Sequence, residues 1–357
     1  MRRWVLALFL ASVWPTVSPG SEPGAVSIGG TPYVSVADVA DRLSLKVVRL
    51  TTEPAILLKD GPRPIARLVD HSREIDLRGL RVFLGDAVVA RGGTFYVSRA
   101  DYDYRLLPSL RPGRCGPPPN PPRTIVLDPG HGGTDQGATN SRLGAIEKAC
   151  TLDVALRLRK RLEQAGYTVI LTRDADYDIS KTLRSEVANR ARADLFVSIH
   201  FNSLFPNTKT TGVEVLCFPP SSQRSADAWG AESKDNSEKK DSPVNAFNAW
   251  SSILASALHR RLLEALHDGD RGEKLEHLGV LRGLNCPGVL VEPAFVSSDV
   301  EGARLSTPAY RETIAEALFA GVQDYADEIK QLRALAPTPF GPSAPTTPRA
   351  VPTRPSS

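Results

Sequence analysis

The 357-residue chain has four cysteines, Cys115, Cys150, Cys217 and Cys286, and no two of them stand as C-x-x-C. That scarcity excludes a disulfide framework and a cysteine-built structural zinc site. The even number still allows disulfides in an exported chain, yet Cys150 and Cys286 read equally well as buried thiols, so no pairing is assigned. Excess charge of one sign is also missing. Lys and Arg number 44 against 40 Asp and Glu, a formal net charge of +4. Spread along the chain, it suits an anionic polymer but gives no case for a nucleic-acid partner. Hydrophobic residues at 41% and charged residues at 24% exclude bulk disorder. The apolar run Trp4 to Trp14 is too short for a stop-transfer helix. Behind Arg2 and Arg3 and ahead of Pro15, Ser18 and Gly20, it reads as a signal peptide over residues 1–20, with an uncleaved anchor as the alternative. Either reading places the chain outside the cytoplasm, in the periplasm or cell envelope, and cleavage leaves no membrane span. The arginine pair does not separate general from twin-arginine export.

Proline divides the remainder. Residues 112–122 carry six prolines in eleven positions, which neither a helix nor a central strand tolerates. Residues 111–122 are therefore expected to form a stiff linker. Seven more prolines fall in 332–357, a tail with little to bury and expected to be disordered. Two folded regions follow, 22–110 and 123–330. The first contains a repeat: Gly29 to Leu43 aligns without gaps on Gly92 to Leu106, with ten of fifteen pairs identical. Each copy predicts a turn, a short strand and a helix capped by Ser35 or Ser98. With one histidine, His71, and no cluster of catalytic residue types, this small α+β region is expected to bind or space. The linker would hold it apart from the second region.

The second region alternates strands and helices, which predicts an α/β domain with a mainly parallel twisted sheet flanked by helices. Strands are expected at 124–128, 167–172, 195–199, 212–218 and 289–291. Helices are expected from about Lys148 to Gly166, at 182–192, 249–266 and 308–326. In the first helix Leu152, Ala155, Leu158 and Leu162 fall at helical spacing, and Gly166 stands where a terminating glycine belongs.

Chemistry-bearing residues gather at the ends of these elements. The strand Thr124-Ile-Val-Leu runs into Asp-Pro-Gly-His131-Gly-Gly, and Leu195-Phe-Val-Ser-Ile ends in His200. Glu147 opens a helix, and Gly288-Val-Leu-Val ends in Glu292. Read singly, each has a bland explanation. A histidine at a strand end often only donates a hydrogen bond, Glu147 suits a helix dipole, and Glu292 suits an ion pair. The glycines could cradle phosphate, but the loop carries neither G-x-G-x-x-G nor G-K-[ST]. Read together, His131, Glu147 and His200 form a two-histidine, one-carboxylate zinc set that leaves a position open for water. A separate carboxylate must then accept the proton of that water, and Glu292 is the candidate general base. Gly130, Gly132 and Gly133 would let the backbone pass close to metal or substrate. The other histidines, His71, His259, His267 and His277, lack ligand spacing and are expected at the surface.

In order along the chain stand Asp-Pro-Gly-His131-Gly-Gly, Glu147-Lys, Leu-Thr-Arg173, Arg184 with Ala188-Asn189, Ala193-Asp-Leu-Phe-Val-Ser-Ile-His200-Phe-Asn202-Ser, Gly212-Val and Val289-Leu-Val-Glu292. This series resembles the zinc-dependent N-acetylmuramoyl-L-alanine amidases over nearly all of residues 123–326. The resemblance implies one zinc on His131, Glu147 and His200, a catalytic Glu292, and peptidoglycan as the substrate. The bond cut would be the amide between N-acetylmuramic acid and L-alanine. Asn202, within the second histidine motif, is expected to contact substrate. Phe201 is expected to narrow the cleft or offer a stacking surface, and Pro293-Ala294-Phe295 to alter its wall beside the base. Residues 219–248 form a Ser-, Asp-, Lys- and Glu-rich insertion that reads as a solvated loop or a lid. In some members of the family such a segment blocks the site until a protein activator acts on it. The first region's turn–strand–helix units resemble the N-terminal module of some copper amine oxidases, without implying copper. A different zinc peptidase or deacetylase, or a catalytically silent wall-binding protein, remain the alternatives.

Overall fold

A computed structural model describes residues 24–220, 223–225 and 246–335. The predicted signal peptide, most of the 219–248 insertion and the tail beyond 335 lie outside the described residues. Among those described, no helix is long and apolar enough to cross a membrane.

An eleven-stranded sheet runs through both predicted regions. Its catalytic half orders the strands Thr168–Leu171, Thr124–Pro129, Leu195–Ile199, Gly288–Glu292, Val213–Cys217 and Asp270–Leu275. These pair in parallel except where Val213–Cys217 meets Gly288–Glu292 in antiparallel register, so the sheet is mainly parallel but mixed. The middle strands Leu195–Ile199 and Val213–Cys217 are buried throughout, as expected of strands covered on both faces. On one face pack the helices Glu147–Gln164, Asn248–Leu266 and Pro308–Leu335. In the first of these Val154, Leu158 and Leu162 recur every fourth residue and are fully buried, each contributing roughly 1.5–3 kcal/mol of burial. Leu152 is only half-buried, and Val154 supplies the stripe instead. The helix ends at Ala165, after which Gly166 turns the chain at φ 89°. The opposite face is covered by the helix Lys181–Arg190 and by the apolar loop residues Val280, Leu281 and Leu284.

The repeat folds as its sequence suggests. Ser35 and Ser98 cap their helices by accepting from Asp38 N and Asp101 N at 3.4 and 3.1 Å. The two copies pair with each other, Val34 opposite Val97 and Tyr33 opposite Ser98. Equivalent residues thus meet across a local pseudo-twofold. In the second copy the helix Arg99–Asp101 continues through a π-type turn, Tyr102–Leu106, to Leu110.

The first region does not stand apart. Its strand Leu80–Phe83 pairs in parallel with Asp270–Leu275 of the catalytic half, Val82 opposite Glu273. From there the sheet continues through Glu74–Leu77, Arg63–Val69, Ala55–Asp60 and Lys46–Arg49. Beneath this seam Arg105 is buried 3.2 Å from Ser252 Oγ and 3.9 Å from Glu273. His259 is fully buried, 3.2 Å from Asp270, and so departs from the surface placement expected of it. The prolines are fastened down as well. Pro112–Arg114 form a 3-10 turn, Cys115 packs on the catalytic core, and Arg333 donates to the carbonyls of Pro118 and Pro119. Those contacts and the packing of Leu332 beside Gly113 carry the last helix to Leu335, past the expected start of the tail. All four cysteines are free thiols.

Candidate functional site

The strands Thr124–Pro129, Leu195–Ile199 and Gly288–Glu292 lie side by side in parallel, Pro129 opposite Ile199 and Ile199 opposite Val291. Their ends therefore bring His131, His200 and Glu292 to one edge of the sheet. Glu147, the first residue of its helix, is brought to the same place by the loop 132–146, where Glu147 N donates to Ala138 O at 2.9 Å.

The three donors converge. Glu147 Oε1 lies 3.0 Å from His131 Nε2 and 3.1 Å from His200 Nδ1. All three ligand atoms fall within 4.8 Å of one another. Donors bound tetrahedrally at 2.0–2.2 Å sit roughly 3.4 Å apart, so this spacing and the two-imidazole, one-carboxylate chemistry fit zinc. The backbone allows it only because two residues lack a side chain. A Cβ on Gly130 would meet the His200 ring at 2.4 Å, and one on Gly137 would meet Glu147 Oε2 at 2.6 Å. His131 itself adopts φ 60°, a left-handed conformation that costs a bulky residue roughly 1–3 kcal/mol. Burial alone would raise the Glu147 pKa, but hydrogen bonds and charge from the two histidines outweigh it and hold the carboxyl down to about 2. Burial works against a charged His131, yet Glu147 and Asp135 raise its pKa.

Two supports were not foreseen in the sequence. Asp135 Oδ2 lies 2.8 Å from His131 Nδ1, while its Oδ1 accepts from Gly137 N at 3.0 Å. A carboxylate on the far nitrogen fixes the tautomer and aims Nε2 at the ligand position. The i, i+4 spacing of His131 and Asp135 in a glycine loop was the available signal. The second support is a pair of buried arginines. Arg184 donates to Asp128 Oδ1, Pro129 O and His131 O at 2.7, 2.7 and 2.8 Å. Arg173 donates to Pro129 O, Gly130 O and Lys148 O at 3.0, 2.8 and 2.8 Å. Asp128 is thus no ligand; with Thr172 and Ser198 also donating to it at 2.6 and 2.7 Å, it anchors the loop from below.

Glu292 follows Val291, whose carbonyl accepts from His200 N at 3.0 Å. Its side chain is partly exposed, but Oε2 is enclosed and has no hydrogen-bond partner among the described residues. Burial, then the negative charges of Glu147, Glu214 and Glu276, push its pKa well above the ordinary carboxyl value. A carboxyl shifted upward in this way binds a proton more readily than an ordinary one.

Other expectations change. Phe201 and Phe295 are 1% and 0% exposed, so neither lines a cleft. Along the strand successive side chains alternate between faces, and Phe201 turns into the helix-covered core opposite His200. Asn202 is fixed through its backbone to Ala294 O and Val296 N, and its side-chain oxygen accepts from Ser203 N at 2.7 Å. His71 and His267 are exposed, whereas His277 is half-buried against Phe218, 5.6 Å between ring centroids.

A mixed α/β sheet with a His–Glu–His donor set beside a partly enclosed carboxylate has the layout of a metallohydrolase. The family model of the N-acetylmuramoyl-L-alanine amidases matches residues 125–324, and the chain belongs to that family. An uncharacterized cell wall amidase of Bacillus anthracis is 34% identical over 210 residues, 57% of this chain and 35% of that protein. The N-acetylmuramoyl-L-alanine amidase AmiC of Neisseria meningitidis is 32% identical over 244 residues, 63% of this chain and 57% of its own length. The chain thus spans about half the length of these curated relatives. Among solved structures, AmiC2 of Nostoc punctiforme is 30% identical, with a TM-score of 0.47 over 57% of this chain and 97% of that one.

Proposed function

We propose that this protein hydrolyses the amide bond between N-acetylmuramic acid and L-alanine of peptidoglycan. The observation that carries the reading is the convergence of His131 Nε2, Glu147 Oε1 and His200 Nδ1, with the enclosed Glu292 carboxyl on the neighbouring strand. These three residues would hold one zinc, which when bound supplies a Lewis acid for the scissile carbonyl and an acidified water. Glu292 would accept a proton from the attacking water at its carboxylate and return it to the departing amine of L-alanine. Asp135 keeps the His131 proton on Nδ1, so that Nε2 offers a lone pair. Arg173 and Arg184 hold the loop carbonyls, so that His131 keeps its left-handed backbone through the cycle. Asn202, placed two residues after His200, is assigned to substrate contact.

The remaining assignments belong to the same reading. The protein is exported and works in the periplasm or cell envelope. Residues 22–110 help hold it on the wall, and a protein activator acts on the 219–248 insertion. Digestion of purified peptidoglycan followed by mass spectrometry of the new ends tests the activity. Free stem peptides beginning with L-alanine are expected. Acetate or internally cut peptides would make the protein a deacetylase or peptidase, and an unchanged wall would make it a silent binder.

A further inference from the structure

The sheet face that carries Glu292 continues into the first region. Glu214 lies directly opposite Glu292 in antiparallel register. Like charges so placed repel, and Glu214 is among the groups that make Glu292 harder to ionise. Two cations relieve it: Arg271 Nε at 2.7 Å and Lys274 Nζ at 3.0 Å from Glu214 Oε1. Arg271 is held by the ring of Phe295, 5.0 Å from its guanidinium. Lys274 instead rests on Phe83, with Nζ 5.7 Å from the ring centroid. Phe83 belongs to the first region's strand Leu80–Phe83 and is almost fully buried. The ring can lie there only because residue 272 is glycine, where a Cβ would come within 2.6 Å of it. One line of neighbours thus runs from Phe83 through Lys274 to Glu214, with Glu292 opposite it on the next strand.

We infer that Lys274, set in place by Phe83, is a positioning residue for the general base Glu292, so that residues 24–110 act on bond cleavage itself and not only on placement at the wall. The inference rests on the amidase reading for its kinetic arm and on the sheet geometry alone for its other arm. Lys274 offsets the Glu214 charge that faces Glu292. Without it Arg271 alone is left to offset Glu214, the repulsion between the two carboxylates of adjacent strands grows, and the base loses a charge that favours its ionised form. Lys274 has its ammonium on Glu214, so its loss should act on turnover rather than on substrate binding. Glu147 and Glu276 also face Glu292 from the metal loop and the far end of the strand pair. Lys274 acts on Glu292 in the opposite sense to these carboxylates, easing its ionisation.

The test uses the full chain with zinc and three variants: Lys274→Met, Lys274→Arg and Phe83→Leu. On a soluble N-acetylmuramoyl peptide, Lys274→Met should lower kcat about ten-fold with KM within two-fold, as expected for the removal of one nearby charge. Lys274→Arg should recover most of the loss, and Phe83→Leu should show a smaller fall of the same kind. A wild-type kcat in Lys274→Met overturns the inference, and so does a change confined to KM, which would make Lys274 a substrate contact. The second arm is a thermal-unfolding cycle combining Lys274→Met with Glu292→Gln. Coupling between the two sites supports the inference, and strict additivity overturns it. If the wild-type protein releases no stem peptide, the amidase reading fails while the cycle still decides the role of Lys274.

Discussion

Replacing Asp135 by Ala should weaken zinc binding without removing a ligand. Asp135 Oδ2 sits 2.8 Å from His131 Nδ1 and sets which ring nitrogen carries the proton. Loss of such an outer partner typically costs 10- to 100-fold in metal affinity. Here the lower end applies, because the Asp135 side chain is 64% exposed and water screens its charge. The same carboxylate ties Gly137 N through Oδ1 at 3.0 Å, and Gly137 is the residue pressed against Glu147 and His131. Asp135→Asn should therefore also lose affinity, since its one carbonyl oxygen can serve His131 or Gly137 but not both. Zinc affinity is read by competition with a chelating dye at pH 7.5. A fall of about ten-fold in both variants, with unfolding temperature little changed, is expected. Affinity unchanged in Asp135→Ala would refute the claim that this carboxylate orients His131.

Four further outcomes follow from the geometry. His131→Ala should retain no stoichiometric zinc after dialysis, and unchanged metal content would remove His131 from the site. Arg184→Ala strips a charge from buried Asp128, frees the carbonyl of His131 and leaves Pro129 O to Arg173 alone; breaking such a buried pair costs about 3–5 kcal/mol by denaturant unfolding, and a loss below 1 kcal/mol would contradict the bracing role. His259 is fully buried, and although burial opposes its charge, Asp270 and Glu273 raise its pKa to about 9. Its stabilisation is thus fully present below its unfolded pKa near 6.5 and is lost as pH rises through about 9, so the unfolding temperature should fall across that window and His259→Gln should flatten the slope; parallel profiles would contradict it. Deleting residues 24–110 bares the strand Asp270–Leu275 as an edge and strands Glu273 without Arg105, so the remainder should melt earlier and aggregate; an unchanged unfolding temperature would argue that the two regions are independent.

Much of the catalytic half could be read from periodicity, because its strands are short apolar runs bounded by Gly and Pro. His131, Glu147, His200 and Glu292 were visible for the same reason, as polar residues at the ends of apolar elements. The strand Asp270–Leu275 was not. Its sequence Asp-Arg-Gly-Glu-Lys-Leu carries no strand pattern, since its charges are paired with Arg105, His259 and Glu214 by partners far away in sequence. Missing that strand also hid the shared sheet, and made the proline run read as a spacer between separate bodies. Asp135, in a loop, and Asp128, at a strand end, escaped because a single acidic residue carries no signal until its partner is placed. Phe201 was misread for want of one fact, the direction of His200, which fixes its neighbour to the opposite face.

The most direct test of the division of labour is stem-peptide release by the Glu292→Gln protein, measured with its zinc content determined on the same sample. The amide side chain keeps the shape of the carboxyl but cannot take the water's proton. Full zinc with release slowed by roughly a hundred- to ten-thousand-fold is the predicted result. Release at the wild-type rate, or zinc lost along with activity, would contradict the assignment of Glu292 as the base.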